Sequence, residues 1–149
     1  MSKSESATIS ILIAEGTQAM RAILRRALTR QSDMSVVGEA ASGSEVFAAV
    51  ERLRPEVLLL DMDIVTGDTR FISKRLVLKD LRELLPDTHV IILSAYGDPT
   101  VRDLALNAGA VAYLEKPVRI AELLAAIRSA AATPETPPTA SDAGSAGGS

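Results

Sequence analysis

Arg54-Pro55-Glu56-Val57-Leu58-Leu59-Leu60-Asp61 places a helix-breaking proline, then four consecutive aliphatic residues, then an acid. A strand apolar at every position has both faces buried, and such strands belong to parallel sheets covered by helices on each side. Val90-Ile91-Ile92-Leu93 repeats the pattern and ends at Ser94. Upstream, Ile9-Ser10-Ile11-Leu12-Ile13-Ala14 makes a strand that runs out at Glu15, and Met34 to Ala40 a second one. Ala110 to Leu114 forms the last, just before Lys116.

Helical spacing fills the intervals. Met20, Ile23, Leu24, Ala27 and Leu28 form one apolar stripe, with Arg21, Arg25, Arg26 and Arg30 read as its solvated face. Val46, Phe47, Val50 and Leu53 form a second, capped at Ser42 or Ser44 and stopped by Pro55. A helix carrying Leu76, Leu78, Leu81, Leu84 and Leu85 halts near Pro86. Another spans Pro99 to Asn107 with Gly109 as its C′ residue, and the last runs from Ile120 to Ala131. Strict strand–helix alternation predicts an α/β fold with a five-stranded, doubly wound parallel sheet.

Composition bounds the rest. At 149 residues, 47% hydrophobic and 23% charged, the chain supports one domain. Sixteen basic against nineteen acidic residues leave a charge of −3, which offers no clustered basic face, so no nucleic-acid partner is expected. The absence of cysteine excludes disulfides, thiolate zinc sites and cysteine nucleophiles. One histidine, His89, excludes a multi-histidine metal cage, and its place just before a strand predicts a surface position. No run approaches the ~20 apolar residues of a membrane span, so a cytoplasmic chain is expected. The end, TPETPPTASDAGSAGGS from Thr133, lacks the apolar surface to offset its ordering entropy. The expected organisation is a flexible stretch 1–7, a domain 8–131 and a disordered Pro/Gly/Ser/Ala-rich tail 132–149.

In open α/β sheets, ligand chemistry collects beyond the carboxyl ends of the strands at a topological switch point. The polar residues at those ends are Glu15, Asp61, Ser94 and Lys116. An Asp as nucleophile, a hydroxyl donating to a phosphoryl oxygen and an ammonium neutralising charge make a phosphoryl-transfer constellation.

Here the chain resembles the receiver domain of two-component response regulators, over essentially all of residues 8–131. The resemblance rests on ILIAEG with Met20-Arg21, VVGEAASG at 36–43, RPEVLLLD at 54–61, VIILSAYGD at 90–98 and AGAVAYLEKPV at 108–118. It implies a flavodoxin-like (βα)5 fold and a phospho-acceptor at Asp61, charged by a histidine kinase or phosphotransfer protein. It further implies Ser94 as the hydroxyl that closes on the phosphoryl group, and Lys116 as the family's lysine in a lysine–proline pair that is often cis. Tyr113 matches the aromatic switch residue. The segment Met34 to Gly43 resembles receivers joined to DNA-binding effectors or to chemotaxis methylesterases.

Two departures from the family pattern stand out. Receivers carry two adjacent acids after the first strand, where this chain has Glu15-Gly16. Magnesium is then left with Asp61, a backbone carbonyl and Glu15 through its longer side chain, with Asp63 as a compensating carboxylate. Weakened magnesium binding follows, and an acid restored at position 16 is expected to strengthen it. The second departure is the loop Asp61-Met-Asp-Ile-Val-Thr-Gly-Asp-Thr69, which lacks the usual proline and closing glycine.

The expected function is a stand-alone, non-enzymatic receiver with output through a protein contact at Arg102, Asn107, Tyr113, Arg119 and Glu122. A phosphorylation-independent interaction module is the alternative. A dehalogenase-type phosphatase is disfavoured, because its aspartate–x–aspartate motif opens the domain and here two strand–helix units precede it.

Overall fold

Parallel strands covered on both faces need two apolar layers, and the period-two alternation of side chains divides each strand between them. The computed structural model describes residues 8–66, 83, 86–95, 97 and 99–132. Its strands are β1 (Ile9–Ala14), β2 (Met34–Ala40), β3 (Val57–Asp61), β4 (His89–Ser94) and β5 (Ala112–Glu115). Its helices are α1 (Gln18–Thr29), α2 (Gly43–Leu53), the short α3 (Met62–Thr66), α4 (Pro99–Ala108) and α5 (Ile120–Ala132). The five strands form one parallel sheet in the order β2-β1-β3-β4-β5, the expected flavodoxin-like arrangement.

Alternate residues go to opposite layers. Ile11, Ile13, Val57, Leu59, Ile91 and Leu93 pack with Leu24 and Leu28 of α1 and with Leu123 and Ile127 of α5. Leu12, Leu58, Leu60, Val90 and Ile92 pack with Val46 and Val50 of α2 and with Ala105 of α4. Leu58, Leu59 and Leu60 have no exposed surface, so β3 is the centre of both layers.

Local differences from the expected elements have physical causes. Ile23, read as part of the α1 stripe, is 57% exposed; the buried seam is Leu24 and Leu28, four residues apart, with Met20 packed against it. Ser42 sits at the N-cap of α2 without a side-chain cap bond. The Glu45 carboxylate instead accepts the Ala41 N–H at 2.7 Å. Helix α4 ends in the anticipated way: Gly109 has φ 120°, its N–H donates to the Leu106 carbonyl, and the Ala110 N–H donates to that of Ala105. That is a Schellman closure, and it uses Ala110, so β5 begins at Ala112 and not at Ala110. His89 is half-buried and belongs to β4, where its N–H bonds the Glu56 carbonyl.

The leucines of the anticipated helix from Leu76 to Leu85 lie outside the described residues, where Glu83 alone of that stretch is described, as helical and exposed; the expected flexible N-terminus and the segment from 133 onward also lie outside them. No helix among the described residues is long and apolar enough to cross a membrane.

Candidate functional site

The order β2-β1-β3-β4-β5 reverses direction between β1 and β3, which opens a crevice at their carboxyl ends. Ala14 pairs with Leu60 across that step, so the next residues of the two strands, Glu15 and Asp61, meet at its rim. On the other side Asp61 pairs with Leu93, which puts Ser94 one strand over. The Lys116 N–H then donates to the Ser94 carbonyl at 2.8 Å, continuing the β4–β5 ladder past Glu115. Register alone thus gathers the four strand-end residues read from the sequence.

Glu15 and Asp61 are each 2% exposed and Ser94 is fully buried. Two buried carboxylates require compensating charge and donors. Lys116 supplies the charge: its ammonium lies 3.0 Å from Asp61 Oδ1 and 3.1 Å from Glu15 Oε1. Burial works against the charged lysine, but hydrogen bonding and attraction from Asp61 and Glu15 outweigh it, holding its pKa above the ordinary lysine value. Backbone donors complete the set, with the Asp63 N–H on Asp61 Oδ1 at 3.0 Å and the Gly16 N–H on Oδ2 at 3.4 Å. The Thr17 N–H and hydroxyl both donate to Glu15 Oε2 at 3.2 Å. Thr17 is also the N-cap of α1, where its hydroxyl makes no cap bond because it serves Glu15 instead.

Arg21 is a site residue that the helical pattern hid. Counted with the solvated arginines of α1, its side chain is only 17% exposed and turns back over the β1–α1 loop. Its Nη1 donates to the Glu15 carbonyl at 2.7 Å and the Gly16 carbonyl at 3.2 Å, while Nε pairs with Glu39 at 3.3 Å. Arg25 pairs with the same Glu39. The usable signal was the Met20-Arg21 that accompanies ILIAEG in the family pattern.

The other expected residues divide. Tyr113 is buried, 6% exposed, within the α2/α4 layer, so its ring already points inward. Arg102, Tyr113, Arg119 and Glu122 line one polar cleft together with Lys116; Asn107 is exposed on α4 and does not line it. Asp63 serves the site through its backbone N–H, while its side chain is exposed. The Lys116–Pro117 peptide is cis.

Magnesium takes oxygen ligands in near-octahedral geometry, typically one or two carboxylates with water and phosphate. Each oxygen of Glu15 and Asp61 already accepts a hydrogen bond within the site. Among the described residues no three acidic or histidine side chains converge as a metal-binding group. Position 16 offers no third carboxylate, and the methyl Cγ2 of Ile64 lies 2.8 Å from where a Cβ there would stand. As arranged, these residues do not fit a magnesium cage.

Comparison with known proteins agrees with this geometry. Residues 11–128 match the family model described as the response regulator receiver domain. The transcriptional regulatory protein YhcZ of Bacillus subtilis is 34% identical over 116 residues, 78% of this chain and 52% of that protein. The oxygen regulatory protein NreC of Staphylococcus epidermidis is 32% identical, with 80% of this chain and 53% of NreC covered. This chain spans about half the length of such curated relatives. Among solved structures, the receiver domain of the putative response regulator NarL from Mycobacterium tuberculosis superposes with a TM-score of 0.75. It has 25% identity and covers 85% of this chain and 98% of that one. The response regulator domain of Thermotoga maritima CheB gives a TM-score of 0.73 at 27% identity, covering 85% and 98%. The flavodoxin-like sheet, the strand-end residues and the family match over 11–128 together make this chain a member of the response regulator receiver family of two-component systems.

Proposed function

We propose that this receiver takes a phosphoryl group on Asp61 from the phosphohistidine of a histidine kinase or phosphotransfer protein. The observation that carries the reading is Lys116, whose ammonium is shared between Asp61 and Glu15 at the switch point of the sheet. In the transfer, an Asp61 oxygen forms the new O–P bond and the histidine N–P bond breaks. The departing imidazole recovers its proton from solvent. Oδ2 is the better-placed nucleophile, since Oδ1 holds both Lys116 and the Asp63 N–H. The lysine and the two backbone N–H groups remain as donors to the charge that develops on the phosphoryl oxygens.

Ser94, buried beside the acceptor, is the hydroxyl that answers the new group, and Tyr113 on the adjoining strand relays its movement. The phosphoryl group acts by shifting the balance between two conformations. Output is a protein contact at the cleft lined by Arg102, Tyr113, Arg119 and Glu122. The chain is thus an acceptor and not an enzyme, and a cytoplasmic kinase partner suits it. YhcZ, named as a transcriptional regulatory protein, is about twice as long as the stretch matched here, and the part represented by this chain is read as making protein contacts and no nucleic-acid contact of its own.

A second reading, a receiver used without phosphorylation, is favoured by Ile64 standing in the corner where a second acid would be. Intact-protein mass after incubation with acetyl phosphate, with and without magnesium, separates the two. A single phosphoryl adduct absent from Asp61→Asn supports the acceptor. A folded protein that takes no adduct overturns it in favour of the second reading.

A further inference from the structure

We propose that Gly16 and Ile64 work as a pair, Ile64 plugging the corner beside Asp61 so that an acid at position 16 cannot by itself build a divalent-cation site. This rests on reading the Asp61 pocket as a receiver site, and it revises the expectation that restoring the acid would suffice.

Gly16 is not glycine for backbone reasons. Among the described residues Gly109 is the glycine with positive φ, so the backbone at 16 accepts an L side chain. Space is the obstacle. A Cβ at 16 would stand 2.8 Å from Ile64 Cγ2, well inside carbon–carbon contact distance, and 3.9 Å from Asp61 Oδ2. A carboxylate there would therefore be aimed at the right oxygen and blocked by a methyl.

That methyl does not yield easily. Cγ2 is bonded to a branched Cβ, so it moves only when χ1 changes, and β-branched residues strongly prefer one χ1 well in a helix. Ile64 is 9% exposed and sits in the middle of α3, packed in one layer with Ala14, Leu60 and Met62. A second consequence concerns hydration. Magnesium keeps several waters, and the buried methyl that crowds the side-chain space of position 16 presents a surface that cannot hydrogen-bond to them. The Gly16 N–H fills that side of the carboxylate instead.

The test is a four-way comparison in the full chain: wild type, Gly16→Asp, Ile64→Ala and the double variant, titrated with Mn2+ alone by calorimetry and electron paramagnetic resonance. The double variant is expected to bind at least tenfold tighter than either single variant, a non-additive gain, and Asp61→Asn is expected to abolish it. Gly16→Asp binding as tightly as the double variant overturns the proposal, as does a folded double variant that binds no better than Gly16→Asp. A metal-free readout guards against misfolding. Gly16→Ala should lower the urea midpoint in the wild-type background and have a clearly smaller effect with Ile64→Ala; equal effects in both backgrounds refute the plug. Neither readout requires phosphorylation, so failure here is separable from failure of the acceptor reading.

Discussion

Lys116→Met keeps most of the apolar stem of the side chain and removes its ammonium, leaving Glu15 and Asp61 buried with no cation between them. Each carboxylate is 2% exposed, and both lie within 3.1 Å of the lysine nitrogen. Removing one partner of a buried ion pair costs about 3–5 kcal/mol, because the remaining charge stays desolvated. The Lys116 side chain keeps 17% exposure and the backbone donors remain. Water therefore screens part of the loss, which puts the expected cost near the lower end, about 3 kcal/mol. With a urea m-value of about 2 kcal/mol/M, the unfolding midpoint should fall by about 1.5 M at pH 7. Circular dichroism in a urea series measures it. The attribution to charge is checked by a cycle: Asp61→Asn should restore a large part of the stability in the Lys116→Met background, since it removes one stranded carboxylate. A midpoint shift below about 0.5 M, or an Asp61→Asn change that deepens the loss, refutes the claim that Lys116 holds the pocket together.

Stability should also carry two pH limbs. The Lys116 pKa is raised above 10.5, so its contribution is complete below that value and lost as pH climbs through the folded-state pKa; Lys116→Met should flatten the alkaline limb. Asp33, hydrogen-bonded and attracted by Arg128, has a pKa lowered from 3.8. Its contribution is present above that value and lost as pH falls through the folded-state pKa, and Asp33→Asn should flatten the acid limb of the same urea series. Arg21→Ala leaves two loop carbonyls without their donor and should cost about 1–3 kcal/mol, with faster amide exchange at Thr17. Lysine should not rescue it, because one ammonium cannot span both carbonyls and Glu39. Leu59→Ala, at a position with no exposed surface, should cost about 3–5 kcal/mol by calorimetry or urea; a loss under about 1 kcal/mol would mean the central strand is less tightly packed than described.

The fold was legible because its evidence is local. Runs such as Val57–Leu60 and Val90–Leu93 are apolar at every position and only four residues long, which suits a doubly covered strand better than a buried helix, and Pro55 and Gly109 mark helix ends by backbone chemistry. Glu15, Asp61, Ser94 and Lys116 were legible as strand-end residues for the same reason. Which neighbours they have was not a local matter. Arg21 looked like any arginine on a charged helix face until the loop beside it was folded over its guanidinium. Ile23 fitted the apolar stripe, yet the seam follows Leu24 and Leu28, because the direction of α1 against the sheet depends on the whole layer.

Position 16 draws the same line. That a glycine stands in place of an acid is written in the chain itself. That its vacant side-chain space is filled by Ile64, forty-eight residues on, depends on β3 lying next to β1 and on α3 turning back over Asp61. Sequence alone determined the strands, the helix stops and the four polar residues that end the strands, since propensity and periodicity act over a few neighbouring residues. The tertiary structure alone decided how the charges pair, which arginine braces the loop and what occupies the corner beside Asp61. Those outcomes are set by contacts between segments that are distant along the chain, where close packing leaves room for one side chain and not two.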